Sequence, residues 1–357
     1  MLKAIRSFFR MLGILIAVVL VLCVFVLGAA LYLNSAPAIS PDTADPGVSA
    51  GVVKNGELFF EVRSGETAFS IGKRLKEAGV IRNHYFWYLL FRFGSDYIKT
   101  GYYKIELPLS QIQIRSILTK GDQLLFKVTI PEGVTLKKAA RIFEDEGICK
   151  TEEFLVAASS REVLDAYAVP GPTMEGYLFP DTYLFPLGYP AVKVVRAMAD
   201  NFFLRLYSIA GESSSSLGAS ELNTLVIIAS IVEREYRIPE EAALMAGVFF
   251  NRLKIGMALQ SCATVEYVIT DIQGRPHPEV LYTRDLEIRD PYNTYLQPGL
   301  PPGPISAPGE TALEAAFFPR ASDFLYFRLN DPSAGRHYFS RTLDDHIRAG
   351  ILYLKDY

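Results

Sequence analysis

The spacing of apolar positions divides the chain into distinct segments. From Met11 to Leu33 only Gly13 and Gly28 interrupt a hydrophobic block of 23 residues. At about 1.5 Å per residue this block makes a helix of roughly 34 Å, enough to cross a bilayer core of about 30 Å. The next segment, Asn34 to Gly51, carries Pro37, Pro41 and Pro46 among small polar residues, the composition of an extended spacer. It is expected to hold the folded part off the membrane.

Two copies of one pattern follow, 68 positions apart. Phe60-Glu-Val62, Gly65, Thr67, Leu75, Gly79-Val80 and Phe86 align with Val128-Thr-Ile130, Gly133, Thr135, Phe143, Gly147-Ile148 and Phe154. Each copy predicts an alternating strand, a glycine turn, a threonine N-cap and an amphipathic helix that stops at Gly79 or Gly147. A second helix is expected from about Asn83 in the first copy and from about Thr151 in the second. Gly101 to Leu107 alternates like a strand, and Ser110 is placed to cap a helix through Leu118. These are small α+β units. The first, 54–125, has a strand-helix-helix-strand order that looks like a LysM-like glycan-binding module; the other reading is a plain spacer domain. Ser213 to Ser216 is a low-complexity loop.

Glu221 to Tyr236 contains no Gly or Pro, and Leu225, Ile228 and Val232 recur at helical spacing. Three positions further along that face lies Glu235. Glu233 is about 200° around the helix from it and aligns with Val226, Ala229, Ser230 and Arg237. A carboxylate held against an apolar stripe keeps its proton more tightly, as a general acid must. The alternative is a solvated Glu235 in a frayed last turn. Pro239 is expected to open another helix, with Glu240 and Glu241 in its first turn, running to Gly256. Asn251 and Arg252 near its end are either donors to a sugar or C-terminal caps. Leu259 to Val265 is a polar strip leading into a further apolar helix.

Composition narrows the classes. Without the apolar block the hydrophobic fraction falls from 50% to about 47%, which is ordinary for a globular protein. The other long uncharged run, Pro291 to Gly309, has six prolines and cannot be a membrane helix, so a polytopic transporter is excluded. Lys3, Arg6 and Arg10 precede the block without an acidic residue, which places the N-terminus, 1–10, in the cytoplasm and the bulk outside. A signal peptide has the same charge order but a shorter apolar region; the length favours an uncleaved anchor, with Ser35-Ala36-Pro37-Ala38 as the point where cleavage would fall. The net charge of −3 becomes about −6 without the +3 of the first ten residues, which argues against a nucleic-acid partner. Cys23 lies in the apolar block, and Cys149 and Cys262 either pair or stand as small apolar residues. No His-Glu-x-x-His, Cys-x-x-Cys, Walker, dinucleotide or Gly-x-Ser-x-Gly spacing occurs, so neither metal nor cofactor is expected.

Ala229-Ser-Ile-Val-Glu-Arg-Glu235, Gly247-Val-Phe-Phe-Asn-Arg-Leu-Lys-Ile-Gly-Met257 and Leu259-Gln260 resemble the core signature of the YceG-like family of endolytic murein transglycosylases. Glu175-Gly-Tyr-Leu-Phe-Pro-Asp-Thr-Tyr183, Pro291-Tyr-Asn-Thr-Tyr295, Gly299-Leu-Pro-Pro-Gly-Pro-Ile305 and the terminal Tyr326-Phe327, His337, Phe339 and His346 extend the resemblance over nearly the whole chain. One departure is Cys262-Ala263, where the family usually has Asp-Pro; this leaves a substrate contact in question.

The resemblance implies an α+β protein: one transmembrane helix, 11–33, a linker, 34–53, the LysM-like subdomain, and a mixed α+β catalytic domain, 126–357. It implies that Glu235 protonates the bridging oxygen of the MurNAc-β-1,4-GlcNAc bond and then takes the proton of the MurNAc C6 hydroxyl, leaving a 1,6-anhydro end. Candidate substrate contacts are Glu175, Tyr177, Asn251, Gln260, Tyr292, Asn293 and Tyr295, with Tyr183 a further aromatic. The implied partners are nascent peptidoglycan strands, a single-pass contact with the cell membrane, and penicillin-binding synthases. A non-catalytic glycan-binding scaffold and a hydrolytic muramidase are the competing readings.

Overall fold

The structure is a computed structural model that describes residues 2–37, 52–54, 57–63, 65–92, 96–211 and 217–353. The Ser213–Ser216 loop and most of the expected spacer lie outside the described residues. The chain forms two compact units, Met1–Leu125 and Phe126–Tyr357, with mixed helices and small antiparallel sheets as an α+β chain requires.

The first unit begins with α1 (Leu2–Asn34). Its segment Arg10–Asn34 is long and apolar enough to cross a membrane, and its apolar window is unburied among the described residues. A three-stranded antiparallel sheet follows in the order β1 (Val52–Lys54), β2 (Glu57–Val62), β3 (Gly101–Glu106). Alternation along β2 turns Leu58, Phe60 and Val62 inward, and Phe60 faces Tyr103 of β3. Between these strands run α2 (Ala68–Glu77) and α3 (His84–Arg92), so the expected strand-helix-helix-strand order is present. The expected cap at Ser110 opens α4 (Gln111–Lys120), in a reciprocal pair with Gln113. Trp87 of α3 is fully buried at the centre, lying so close to Gly72 of α2 that any Cβ there would overlap the indole.

The end of α1 is fastened to this unit. Gln111 Nε2 donates to the Leu33 carbonyl at 2.8 Å, and the Ile112 amide donates to Asn34 Oδ1 at 3.1 Å. Arg82 donates to Ser35 Oγ at 3.0 Å and to the Ala36 carbonyl at 2.9 Å, with its guanidinium 4.8 Å from the Tyr32 ring centroid.

In the second unit β4 (Phe126–Thr129) pairs antiparallel with β5 (Thr182–Phe185). Between them lie α5 (Leu136–Asp145), α6 (Thr151–Ala158) and α7 (Arg161–Ala166). The internal repeat is real in geometry: Thr67 and Thr135 both accept from the amide three residues on, and Gly79 and Gly147 both end their helices at φ +71°. The unit continues with α8 (Ala191–Ala210), α9 (Ala219–Glu235), α10 (Pro239–Lys254), α11 (Cys262–Tyr267) and α12 (Glu310–Phe317). A hairpin of β6 (Tyr326–Asp331) and β7 (Arg336–Ser340) and a helix α13 (Leu343–Tyr353) complete it.

Helix α9 is more deeply buried than its one-sided stripe predicts, because α10, α11 and α12 all pack on it and take every side chain from Val226 to Val232 out of water. Ser230, fully buried, accepts from the Ile305 amide at 3.0 Å through its hydroxyl, and its carbonyl accepts from Ser306 Oγ at 3.0 Å. The proline-rich run is thereby pinned across the helix. On α10, a Cβ at Gly247 would overlap the Arg320 carbonyl oxygen. Alanine in a helix interior is ordinarily favoured over glycine by about 1 kcal/mol; here the overlap reverses the sign. Gly247→Ala is expected to lower the thermal unfolding midpoint, and a raised midpoint would show that the 320 segment gives way freely.

Candidate active site

Glu235 is the last residue of α9 and stands where the buried helix meets an open cleft of about 560 Å³. The cleft is walled by Gln260, Ser261 and Cys262 on one side and by Tyr326, Arg328 and His337 of the hairpin on another. Removal from water pushes the Glu235 carboxyl above the ordinary carboxylate range; the Ser261 hydroxyl and the charge of Arg234 pull it down, while the negative Glu266 adds to the rise. Ser261 Oγ donates to Glu235 Oε1 in a short hydrogen bond. Glu266 is itself held by Arg234 at 2.8 Å, with His277 at 3.5 Å.

Ser261 is aimed by the backbone around it. Gln260 takes a left-handed φ of +49°, its amide donates to the Thr294 carbonyl at 3.1 Å, and the Ser261 amide donates to Thr294 Oγ1 at 3.0 Å. The Thr264 hydroxyl donates to the Ser261 carbonyl at 2.8 Å and lies 2.9 Å from that of Thr294. A positive φ in a side-chain-bearing residue persists only where its surroundings over-determine it, and these buried threonines supply that constraint.

The far wall depends on the end of α10. Arg252, 7% exposed, donates to the carbonyls of Leu325 at 2.6 Å, Ala258 at 3.2 Å and Leu259 at 2.8 Å, so it ties the entry to β6 to the polar strip. Asn251 Nδ2 donates to the carbonyls of Ser322 at 2.8 Å and Phe324 at 3.0 Å. Both hydrogens of that amide are engaged by backbone, so Asn251 holds the wall and does not face the cleft. His337 is buried beside Glu241 of α10, with Nδ1 2.8 Å from the carboxylate and its amide donating to the same group at 3.1 Å.

Of the expected contacts, the structure brings Gln260 and Tyr295 into the Glu235 cleft. Glu175 is 7% exposed and lies elsewhere, accepting from the Leu136 amide at 2.9 and 3.0 Å at the start of α5; burial pushes its carboxyl up to about 8, with Asp271 nearby adding to the rise. Tyr177 is buried and donates to Asn223 Oδ1 at 2.9 Å. Tyr183 donates to the Phe179 carbonyl at 2.6 Å. Asn293 is fully buried and donates to the carbonyls of Leu286 and Ile288 at 2.9 and 2.8 Å. Tyr292 packs on the ring of Tyr267 at 5.0 Å. Glu233 points away from the cleft, as its angle on the helix requires, and accepts from the Gly309 amide at 2.9 Å; burial pushes it up to about 7. All three cysteines are free, and Cys262, at the start of α11, places Sγ 3.1 Å from Tyr295 Oη. Ser261 and Glu266 carry no site signal of their own in the sequence; they, Arg252, read there as a sugar donor or a cap, and His337, part of the terminal motif, reach the cleft through contacts distant in the chain.

A half-buried acid in a polar cleft, beside one oriented hydroxyl and with no second unpaired carboxylate among the described lining residues, has the layout that acid-base chemistry by a single carboxyl calls for. The chain belongs to the YceG-like family, which it matches over residues 60–350. It is 29% identical over 313 residues to a Bacillus subtilis (strain 168) protein named endolytic murein transglycosylase, covering 82% of this chain and 84% of that one. A Streptococcus pneumoniae (strain D39) protein of the same name is 29% identical over 324 residues, and there the match spans 80% of this chain but 56% of the relative. The crystal structure of a yceG-like protein from Listeria monocytogenes superposes with a TM-score of 0.55 at 29% identity, covering 82% of this chain and 98% of that one.

Two outcomes test the electrostatics. Ser261→Ala removes a donor to the ionised acid, so the alkaline limb of the rate profile moves to higher pH, whereas Glu266→Gln removes a negative neighbour and moves it to lower pH; shifts in the same direction would contradict this arrangement. Glu175 binds its proton more tightly folded than unfolded, so its contribution to stability declines as pH rises from the ordinary glutamate range to about 8, by at most about 1.4 kcal/mol per pH unit. Glu175→Gln is expected to flatten that decline in chemical denaturation measured across the window.

Proposed function

We propose that this chain is a membrane-anchored endolytic lytic transglycosylase of peptidoglycan and that Glu235 is its acid-base residue. The observation that carries the reading is the Glu235 carboxyl itself, pushed up by burial at the edge of the cleft and oriented by Ser261. In its protonated form it gives its proton to the oxygen bridging MurNAc and GlcNAc as the C1–O bond breaks. The resulting carboxylate takes the proton of the MurNAc C6 hydroxyl as that oxygen bonds to C1. The product is a 1,6-anhydro end, and water is not a reactant. The Glu266 carboxylate, paired with Arg234 at 2.8 Å, lies in the same cleft as a negative group facing the positive charge that develops at C1. Gln260, Tyr295, Tyr326 and Arg328 are the cleft residues placed to meet the sugars.

The names of the Bacillus and pneumococcal relatives support the substrate class. The basic residues ahead of the apolar segment support a cytoplasmic N-terminus with both units outside a bacterial cell membrane. There the site meets glycan strands leaving the penicillin-binding synthases. The LysM-like reading of 54–125 rests on its strand-helix-helix-strand order. A hydrolytic muramidase is the second reading, favoured by the presence of Glu266 as another carboxylate in the same cleft.

Purified sacculi incubated with the protein and read by mass spectrometry separate these readings. Anhydro-muropeptides are expected, and Glu235→Gln is expected to reduce their formation by about 10²–10⁴-fold. Reducing ends in place of anhydro ends would establish hydrolysis, and full activity in Glu235→Gln would overturn the site.

A further inference from the structure

Helix α3 is apolar on both of its faces. Its nine residues, His84 to Arg92, carry Arg92 as their one fixed charge. Trp87 and Phe91 face inward, with ring centroids 5.2 Å apart and the indole N–H donating to the Ala68 carbonyl at 2.9 Å. Tyr85, Tyr88 and Leu89, at i, i+3 and i+4, form the opposite stripe and are 61%, 40% and 49% exposed. Phe69 of α2 extends this stripe, with its ring 5.9 Å from that of Tyr85 and 6.0 Å from that of Tyr88. A helix hydrophobic all round belongs in an apolar setting on every side, and a contiguous aromatic patch on a surface marks a partner.

The attachment of α1 identifies that partner. Arg82, one turn before Tyr85, grips Ser35 and Ala36 just past the end of α1, and Gln111 and Ile112 grip Leu33 and Asn34 in its last turn. The apolar segment ends at Asn34. The start of α3 therefore stands at the level where α1 leaves the bilayer, whichever side that is. Ile112, 48% exposed, presents a further apolar side chain at the clasp itself. Tyrosine rings and long basic side chains are the groups that favour the headgroup layer, and Tyr85, Tyr88 and Arg92 share one stripe.

We propose that α3 and Phe69 lie in the headgroup layer of the bilayer that α1 crosses, so that the first unit is seated on the membrane surface. A sugar chain would also stack on exposed rings, but the clasp on α1 places these rings beside lipid. The proposal rests on α1 being a membrane span.

The test uses the full chain in nanodiscs of phosphatidylethanolamine and phosphatidylglycerol, with a nitroxide at one exposed cysteine at a time while the buried Cys149 stays in place. Cys23 is labelled in a Cys262→Ser background; Leu89→Cys, and Glu77→Cys as the water-facing control, are labelled with both Cys23→Ser and Cys262→Ser. Relaxation by oxygen is compared with relaxation by a water-soluble nickel chelate. The expected result is a severalfold higher oxygen-to-nickel ratio at Cys23 and at Leu89→Cys than at Glu77→Cys. A water-like Leu89→Cys beside a lipid-like Cys23 overturns the seating alone; a water-like Cys23 overturns the span and the seating with it. A Leu89→Cys label shielded from both relaxants, or immobilised only when glycan strands are added, assigns the face to protein or to sugar and overturns the proposal.

Discussion

The desolvation of Glu235 is the constraint around which the second unit is arranged. A carboxyl at a helix terminus is normally bathed in water and ionised. Here the helix that carries it is buried on all sides from Val226 to Val232, so its end emerges into the floor of the cleft rather than at a convex surface. Burial raises the acid, and the Ser261 hydroxyl sets the limit of that rise while fixing which oxygen faces it. Ser230 then matters although it lies far from the chemistry. Its two hydrogen bonds to the proline-rich run prevent α9 from sliding along its axis, and sliding would change the depth of the acid.

Polar residues in the middle of recognisable motifs are here mostly structural. Asn251, Arg252 and Asn293 all donate to backbone carbonyls of irregular segments, which have no ladder of their own to satisfy them. A cleft built from a strip, a hairpin and a helix end has many such carbonyls. Side-chain amides and one guanidinium replace the regular sheet that another architecture would use.

Local order was legible in the sequence wherever it depends on neighbours a few positions apart. Thr67, Thr135 and Ser110 announced their caps, Gly79 and Gly147 their helix ends, and the stripe through Leu225, Ile228 and Val232 pointed to Glu235 and set Glu233 on another face. What was not legible is the pairing of distant residues. Ser261 meets Glu235 across 26 positions, Glu175 meets Leu136 across 39, Arg252 meets Leu325 across 73, and His337 meets Glu241 across 96. A buried glutamate that caps a helix and one that opens onto a cleft carry the same letter, each inside a recognisable motif. Only the fold separates Glu175 from Glu235.

The proline-bearing stretch after α1 was expected to act as a spacer. The described residues on either side of it belong to one body: Leu33 to Ala36 are clasped by Arg82, Gln111 and Ile112, and Val52 pairs with Phe59 in the sheet of the same unit. The distance between this body and its anchor is therefore set by the clasp itself and not by the number of residues between Ala36 and Val52. Extra residues inserted there would leave the first unit on the same short tether.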